Sequence, residues 1–360
     1  MKKLLILLLL PIFIGGCYDY NELGDLAIIS GIGIDYNNNN YEVTFEILST
    51  KKEGEQGAST STYTVSATGN TLANAFAANG LNMDKVPYYE HVEVVVIDEE
   101  IAKNHLRDIS ELLIRSSKLR NEFYMAVAKN ITAKEIISSS SEEKPVASTF
   151  IVSMLEHSNN SNSSGYYVPF TKTLRNILTD GEDAIMSVLT LQDKNIILDG
   201  IAIYHDFMMK DILTPEEASF VNLLNNFDAR TVFLEYNCPN NKGKVVASIY
   251  ESKMEIAPNN NNVTIKGKIN MRINEDTCGH NLKEEEVYQE LEKKFSKELE
   301  HKLDNIIRIM KDAESNALSI GKSYYNKYYK DYYYLWLNQE FKYDFDLKIN
   351  KKGLTFEVEK

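Results

Sequence analysis

Cysteine, proline and positive charge are all scarce in this chain. Its 360 residues include three cysteines and seven prolines, and its 39 basic side chains face 52 acidic ones. Three cysteines are too few for the disulfide framework that replaces a core in small secreted folds. The low proline count and an apolar share of 43% exclude wholesale disorder, because enough apolar surface exists to offset chain entropy. A formal charge of −13 excludes a nucleic-acid scaffold, whose phosphate affinity needs a basic field. Beyond the first seventeen residues, no apolar run approaches the eighteen that a membrane-spanning helix requires.

Catalytic signatures are missing as well. The histidines His91, His105, His157, His205, His280 and His301 show no short metal-ligand spacing and no HExxH pattern. Cys278 and His280 offer two ligands, which do not specify a zinc site. Gly31 and Gly33 lie inside an apolar strand, without the third glycine and the helix of a dinucleotide site. GxSxG elbows and phosphate loops are absent. His205 beside Asp206 is a catalytic pair on paper only, since sequence neighbours point apart and no nucleophile motif accompanies them. These absences predict a protein that is not an enzyme and holds no metal and no cofactor.

What is present begins with an address. Lys2 and Lys3 precede the apolar stretch Leu4 to Ile14, which is too short to span a bilayer and has the form of a secretion signal. Ile14, Gly15, Gly16 and Cys17 resemble a bacterial lipobox. That chemistry predicts cleavage before Cys17 and a diacylglycerol on its thiol. Loss of Lys2 and Lys3 takes the formal charge from −13 to −15. Two acyl chains hold a protein on a membrane far more durably than one. The expected product is an acidic body on a lipid tether, outside the cytoplasm.

Two further cysteines, Cys238 and Cys278, each follow a strand-like run. They could meet at one sheet edge, but nothing in the sequence demands a bond, and their pairing stays open.

Along the chain, Leu26 to Ile34 reads as a strand in which Gly31 and Gly33 mark a bend or a close backbone approach. Tyr41 to Ile47 alternates with period two, giving a hairpin whose loose loop is Asn37 to Asn40. Lys51 to Ser61 reads as an exposed polar loop. Val92 to Ile97 suits a buried strand, and Glu99 to Leu113 a helix. Ile196 to Tyr204 is a strand with a turn at Asp199 and Gly200. Thr214, Pro215 and Glu217 form a capping box that starts a helix. From Leu282 to Met310 the apolar positions Val287, Leu291, Phe295, Leu299, Leu303 and Ile307 recur at spacings of four, one stripe on a long helix. A tyrosine-rich segment around Tyr324 to Trp336 has rings enough to bury one face and keep another wet. Phe341 to Ile349 and Leu354 to Val358 alternate, predicting a closing hairpin. The expected fold is α+β and multidomain, with mixed helices, mostly antiparallel sheets and a long amphipathic helix packed on a C-terminal sheet. The expected divisions are a signal peptide 1–16, a lipidated tether 17–25, an α+β domain 26–193, a middle α+β domain 194–257 and a C-terminal domain 258–360.

Several separated stretches carry a family likeness. Cys17, Tyr18, Asp19 and Glu22, then Ile32 to Asp35, are followed by His91 to Ile97 with Glu99, Ile101 and Ala102. Leu112 to Arg120, with Arg115 and Arg120, precedes Val127 to Lys129 and Ala133. Asp199 to Ala202, Leu213 to Ala218 and the long helix complete the order. This order resembles the Ger(x)C family, the C-subunit lipoproteins of nutrient germinant receptors in endospore-forming bacteria. Asp98 stands where the family has a glycine, and Tyr18 where a tryptophan is common. The resemblance implies a lipid-anchored subunit on the outer face of the spore inner membrane, attached through Cys17. Its implied partners are A-type and B-type membrane subunits. Arg115 and Arg120 are candidate contacts to an acidic partner surface, and Tyr328 and Tyr332 to a partner or the bilayer interface. A solute-binding lipoprotein is the alternative, and it predicts two lobes with a ligand cleft between them.

Overall fold

A computed structural model describes residues 23–350, apart from 53–57, 117–118, 121, 162–163, 227–231, 240–242, 260 and 329–333. Cys17, Tyr332 and the closing residues Leu354, Phe356 and Val358 lie outside the described residues. Two sheets organise the chain. The first is built from β1 (Leu26–Asn37), β2 (Asn40–Lys52), β3 (Ala58–Gly69), β4 (Val86–Tyr88), β5 (Val94–Asp98), β6 (Tyr124–Ala128), β7 (Ile185–Gln192), β8 (Asn195–His205) and β9 (Met208–Leu213). Its order is β3-β2-β1-β5-β6-β7-β8-β9, with β4 added beside β1. The centre, from β1 through β5 and β6 to β7, is parallel, and the flanks are antiparallel. The second sheet orders β10 (Val232–Asn237), β11 (Lys244–Pro258), β12 (Asn262–Asp276) and β13 (Glu340–Ile349). Residues 194–257 are thus shared between the sheets, β8 and β9 in the first and β10 and β11 in the second.

The hairpin between β1 and β2 is tighter than its four asparagines suggest. Asn37 pairs with Asn40, and Asn38 and Asn39 turn the chain at φ 50° and 61°. Asparagine tolerates this left-handed region better than most residues, so a two-residue turn suffices. The two ends of the stretch expected as a loop over Lys51 to Ser61 are paired, with Lys51 opposite Ser59 and Lys52 opposite Ala58, while 53–57 lie outside the described residues. Their polar residues suit a ladder at the sheet edge. Gly200, expected in a turn, lies within β8 at φ +100°, where a Cβ would meet the Leu213 carbonyl oxygen at 1.9 Å.

Helices cover both faces of the first sheet. On one face lie α1 (Leu72–Leu81), a π-helical turn Ile101–His105 that continues into α2 (Leu106–Arg115), and α5 (Phe170–Ile177). On the other lie α3 (Ala133–Ile137) and α4 (Ala147–Ser161). Val95 and Ile97 point into the first core and Val94 and Val96 into the second, which explains the unbroken apolar run of β5. Gly31 and Gly33 serve the close approach their positions suggest. A Cβ at Gly33 would lie 3.0 Å from the Ala133 carbonyl, and one at Gly31 3.0 Å from the Ser148 Cβ. The starts of α3 and α4 therefore sit directly on β1.

A third core joins the halves. α6 (Pro215–Leu224), opened by the expected Thr214–Glu217 capping box, packs between β8 and the second sheet. The 28 residues of α7 (Glu285–Asp312), about 42 Å long, bury Leu291, Phe295, Leu299, Leu303 and Ile307 as the stripe predicts. β13 runs parallel to β12, and α8 (Ile320–Tyr328) lies before it. Among the described residues, no helix is long and apolar enough to cross a membrane.

Candidate functional site

Three places in the fold gather polar chemistry, and their geometry separates structural work from open surface. The first is the joint between the halves. The buried carboxylate of Asp183 accepts from the backbone N–H of Asp206 at 2.8 Å and of Asn316 at 2.7 Å. The Asn316 side-chain oxygen accepts from the Trp336 indole at 2.7 Å, and the Ser315 hydroxyl donates to the Tyr204 carbonyl at 2.6 Å. His205 lies 3.5 Å from Asp183 through Nδ1 and 3.3 Å from the Tyr334 hydroxyl through Nε2. The hydrogen bond to Asp183 raises the His205 pKa against the opposing effect of burial. The histidine is thus bound to a residue 22 positions away, and the neighbouring Asp206 contributes its backbone. The cavity here is about 60 Å³, far below the size of a small-molecule site. These groups fasten β7 and β8 to the segment between α7 and α8.

The second place settles a cysteine pairing that the sequence left open. Cys238 and Cys278 form a disulfide, with Cα atoms 5.7 Å apart. The β10–β11 and β11–β12 pairings bring the far ends of β10 and β12 together beside Lys244, a non-local consequence that spacing in sequence does not reveal. Possible ligand atoms of Asp276, Cys278 and His280 lie within 4.8 Å of one another. The Cys278 sulfur is already bonded, however, and a zinc ligand must be a thiolate. His280 instead meets Asp276 at 3.1 Å.

The third place is a groove of about 560 Å³ between α1 and α2. Phe76, Tyr89, Leu112 and Leu119 form its apolar floor, and Asp108, Glu111 and Arg115 its charged rim. The strong amphipathicity of α2 explains the arrangement: Leu106, Ile109 and Leu113 turn inward, while Glu111, Ile114 and Arg115 face out. Arg115 is 81% exposed and only 3.5 Å from Glu111, a surface pair of small energy. Arg120 is also exposed, close enough to oppose the upward push that Glu90 gives the Tyr88 phenol. Tyr328 is elsewhere: half-buried at the end of α8, it stacks on Tyr324 at 6.0 Å. The structure therefore places Arg115 on the groove rim and Tyr328 against the C-terminal core. The groove floor escaped the sequence reading, because Phe76 and Tyr89 come from different elements and converge only in the fold.

Residues 19–191 match the profile of the spore germination protein N-terminal domain, and residues 199–353 that of the spore germination B3/GerAC-like C-terminal domain. The chain belongs to the GerAC family of spore germination proteins. It is 24% identical to the spore germination protein GerQC of Bacillus cereus, over 99% of this chain and 100% of that protein. It is 23% identical to the spore germination protein KC of Bacillus subtilis (strain 168), over 90% of this chain and 86% of the relative. The crystal structure of the GerBC protein superposes with a TM-score of 0.50 at 16% identity, covering 92% of this chain and 99% of that one. That likeness shows a shared fold. Family membership makes the chain a germinant-receptor subunit in spore germination, of a type associated with the membrane.

Proposed function

We propose that this GerAC-family chain is a non-enzymatic, lipid-anchored scaffold, held through Cys17 on the outer face of the spore inner membrane. In this reading it couples the A-type and B-type membrane subunits of the receptor. The observation that carries the proposal is the joint. Asp183, Asn316, Ser315 and Trp336 tie the halves together through buried hydrogen bonds, and the space left there is about 60 Å³. A solute-binding lipoprotein needs a cleft that opens between its lobes. A body fastened at that place transmits position better than it captures a solute.

Partner contact falls to the outer surface. The α1–α2 groove, with Arg115 on its rim and exposed Arg120, offers an apolar floor and charged edge of the kind that interfaces use. Tyr328, with Tyr332 beyond the described residues, is a second proposed contact. Lipidation at Cys17 raises the effective concentration of the body near membrane partners.

Co-purification of the lipidated chain with the membrane subunits from spores tests the scaffold directly. Cys17→Ala is expected to reduce both membrane retention and nutrient-triggered germination. Normal retention and germination would sink the anchor. Calorimetric titration with amino acids and sugars addresses the alternative, and saturable heat would favour solute binding.

A further inference from the structure

The first described strand fixes where the fold begins. β1 pairs in parallel with β4, Leu26 opposite Val86 and Ala27 opposite Pro87. Gly24 and Asp25 share a shallow depression with Gly80, Met83, Lys85 and Val86. The turn between α1 and β4 that borders it is flanked by Leu81 and Val86, at 87% and 50% exposure. Leu81 is the most exposed large apolar side chain among the described residues. Charge on this surface is mixed, with Asp25 and Asp84 beside Lys85, all exposed. An anionic headgroup layer gains no net attraction there, so any lipid contact is apolar.

Chain length decides the occupant. Eight residues separate Cys17 from Leu26, and the nine steps between their Cα atoms reach about 30 Å at most. The Asn37–Asn40 turn, at the other end of β1, stands a further eleven residues away, about 36 Å along the strand. We infer that the α1–β4 turn, through Leu81 and Val86, rests on the lipid surface and orients the body upon it. Because β5, β6 and β7 run parallel to β1, their first residues lie toward the bilayer. Two aliphatic side chains leave water on contact with the acyl boundary, and the tether makes that contact intramolecular. The inference rests on the lipid anchor proposed at Cys17.

Full-length lipidated protein in phosphatidylcholine vesicles, carrying a fluorophore on Leu81→Cys or Asn37→Cys, tests it. Spin-labelled acyl chains should quench the probe at Leu81, and aqueous iodide should reach it about threefold less than the probe at Asn37. In a second form, Leu81→Ser with Val86→Ser should leave flotation with the vesicles unchanged. The same pair should raise iodide access to a probe on Asn82→Cys. Equal iodide access at Leu81 and Asn37 on floated protein overturns the docking and leaves the anchor standing. An Asn82 probe that ignores the serine pair also overturns it. Failure of the wild-type chain to float overturns the anchor and the docking together.

Discussion

Strand β5 of the first sheet is buried on both faces, Val94 and Val96 toward one core and Val95 and Ile97 toward the other. β13 of the second sheet instead alternates, with Lys342, Asp344, Asp346 and Lys348 exposed between partly or fully buried neighbours. The contrast extends to the helices. The start of α4 is interior, and the fully buried Glu46 accepts from Ala147 N–H at 2.6 Å, Ser148 N–H at 3.0 Å and the Ser30 hydroxyl at 2.9 Å. Asp35 does the same for α3, accepting from Ala133 at 2.6 Å and Lys134 at 2.9 Å. The start of α7 has no side-chain cap at Glu284 and relies on Glu285 and Glu286 facing its positive end. A sheet covered on both sides must satisfy helix ends inside the protein, and carboxylates from its own strands do so. Among the described residues of the second sheet, no strand carboxylate caps the start of the long helix α7 in this way.

If that contrast is right, the largest effect lies at Glu46. Glu46→Ala leaves the buried Ala147 and Ser148 amides without their acceptor and should cost about 3–5 kcal/mol, confined to the first sheet. In urea, far-UV circular dichroism should then fall before the fluorescence of Trp336, the one tryptophan, which sits at the joint. Coincident transitions with a large destabilisation would show that the joint makes both halves one cooperative unit. Next comes the disulfide. It closes a loop with a sequence separation of 40, and Cys238→Ser should cost about 3–4 kcal/mol by loss of chain constraint. That loss should move the Trp336 transition and leave the amides at Gly31 and Gly33 protected from hydrogen exchange.

Titration separates the two regions further. Burial raises the Asp35 pKa to about 6, against the downward pull of the Ala133 and Lys134 amides. A carboxyl whose folded pKa lies above its unfolded value favours folding at low pH and loses that contribution as pH climbs through the folded pKa. Stability from this group should therefore fall by about 2–3 kcal/mol between pH 4 and pH 7. Asp35→Asn should flatten that slope in urea midpoints measured across the range. His205 acts in the same direction at higher pH. Its raised pKa means the tie to Asp183 is complete below the ordinary histidine value and weakens as pH rises through the folded one.

Legibility in the sequence followed the same division. The stripe Leu291, Phe295, Leu299, Leu303 and Ile307 needs only a helical period to be read, and the Thr214–Glu217 cap only a local pattern. Gly31 and Gly33 signalled a close approach, though not that α3 and α4 supply it. What stayed hidden was non-local. Glu46 looks like the polar phase of an alternating strand until α4 arrives over it, 101 residues later in the chain. Cys238 and Cys278 meet because β11 lies between their strands. Asp183 binds His205 and Asn316 across three elements, while the sequence offered Asp206 as the nearer partner.

The smallest effect on stability, and the sharpest on function, belongs to Arg115. Its side chain is 81% exposed and its ionic partner on the same helix, Glu111, is itself 58% exposed, so Arg115→Glu should change stability by less than about 0.5 kcal/mol. If the groove binds a receptor subunit, the same change should weaken co-purification by about tenfold, the scale of a single interface residue of moderate weight. The swap of Glu111→Lys with Arg115→Glu distinguishes the two roles. It restores an attractive pair on α2 and with it any intrahelical contribution, but it reverses the field that the groove rim presents. Association that returns with the swap assigns Arg115 to bracing its own helix. Association that stays lost, in a chain as stable as wild type, assigns it to the partner.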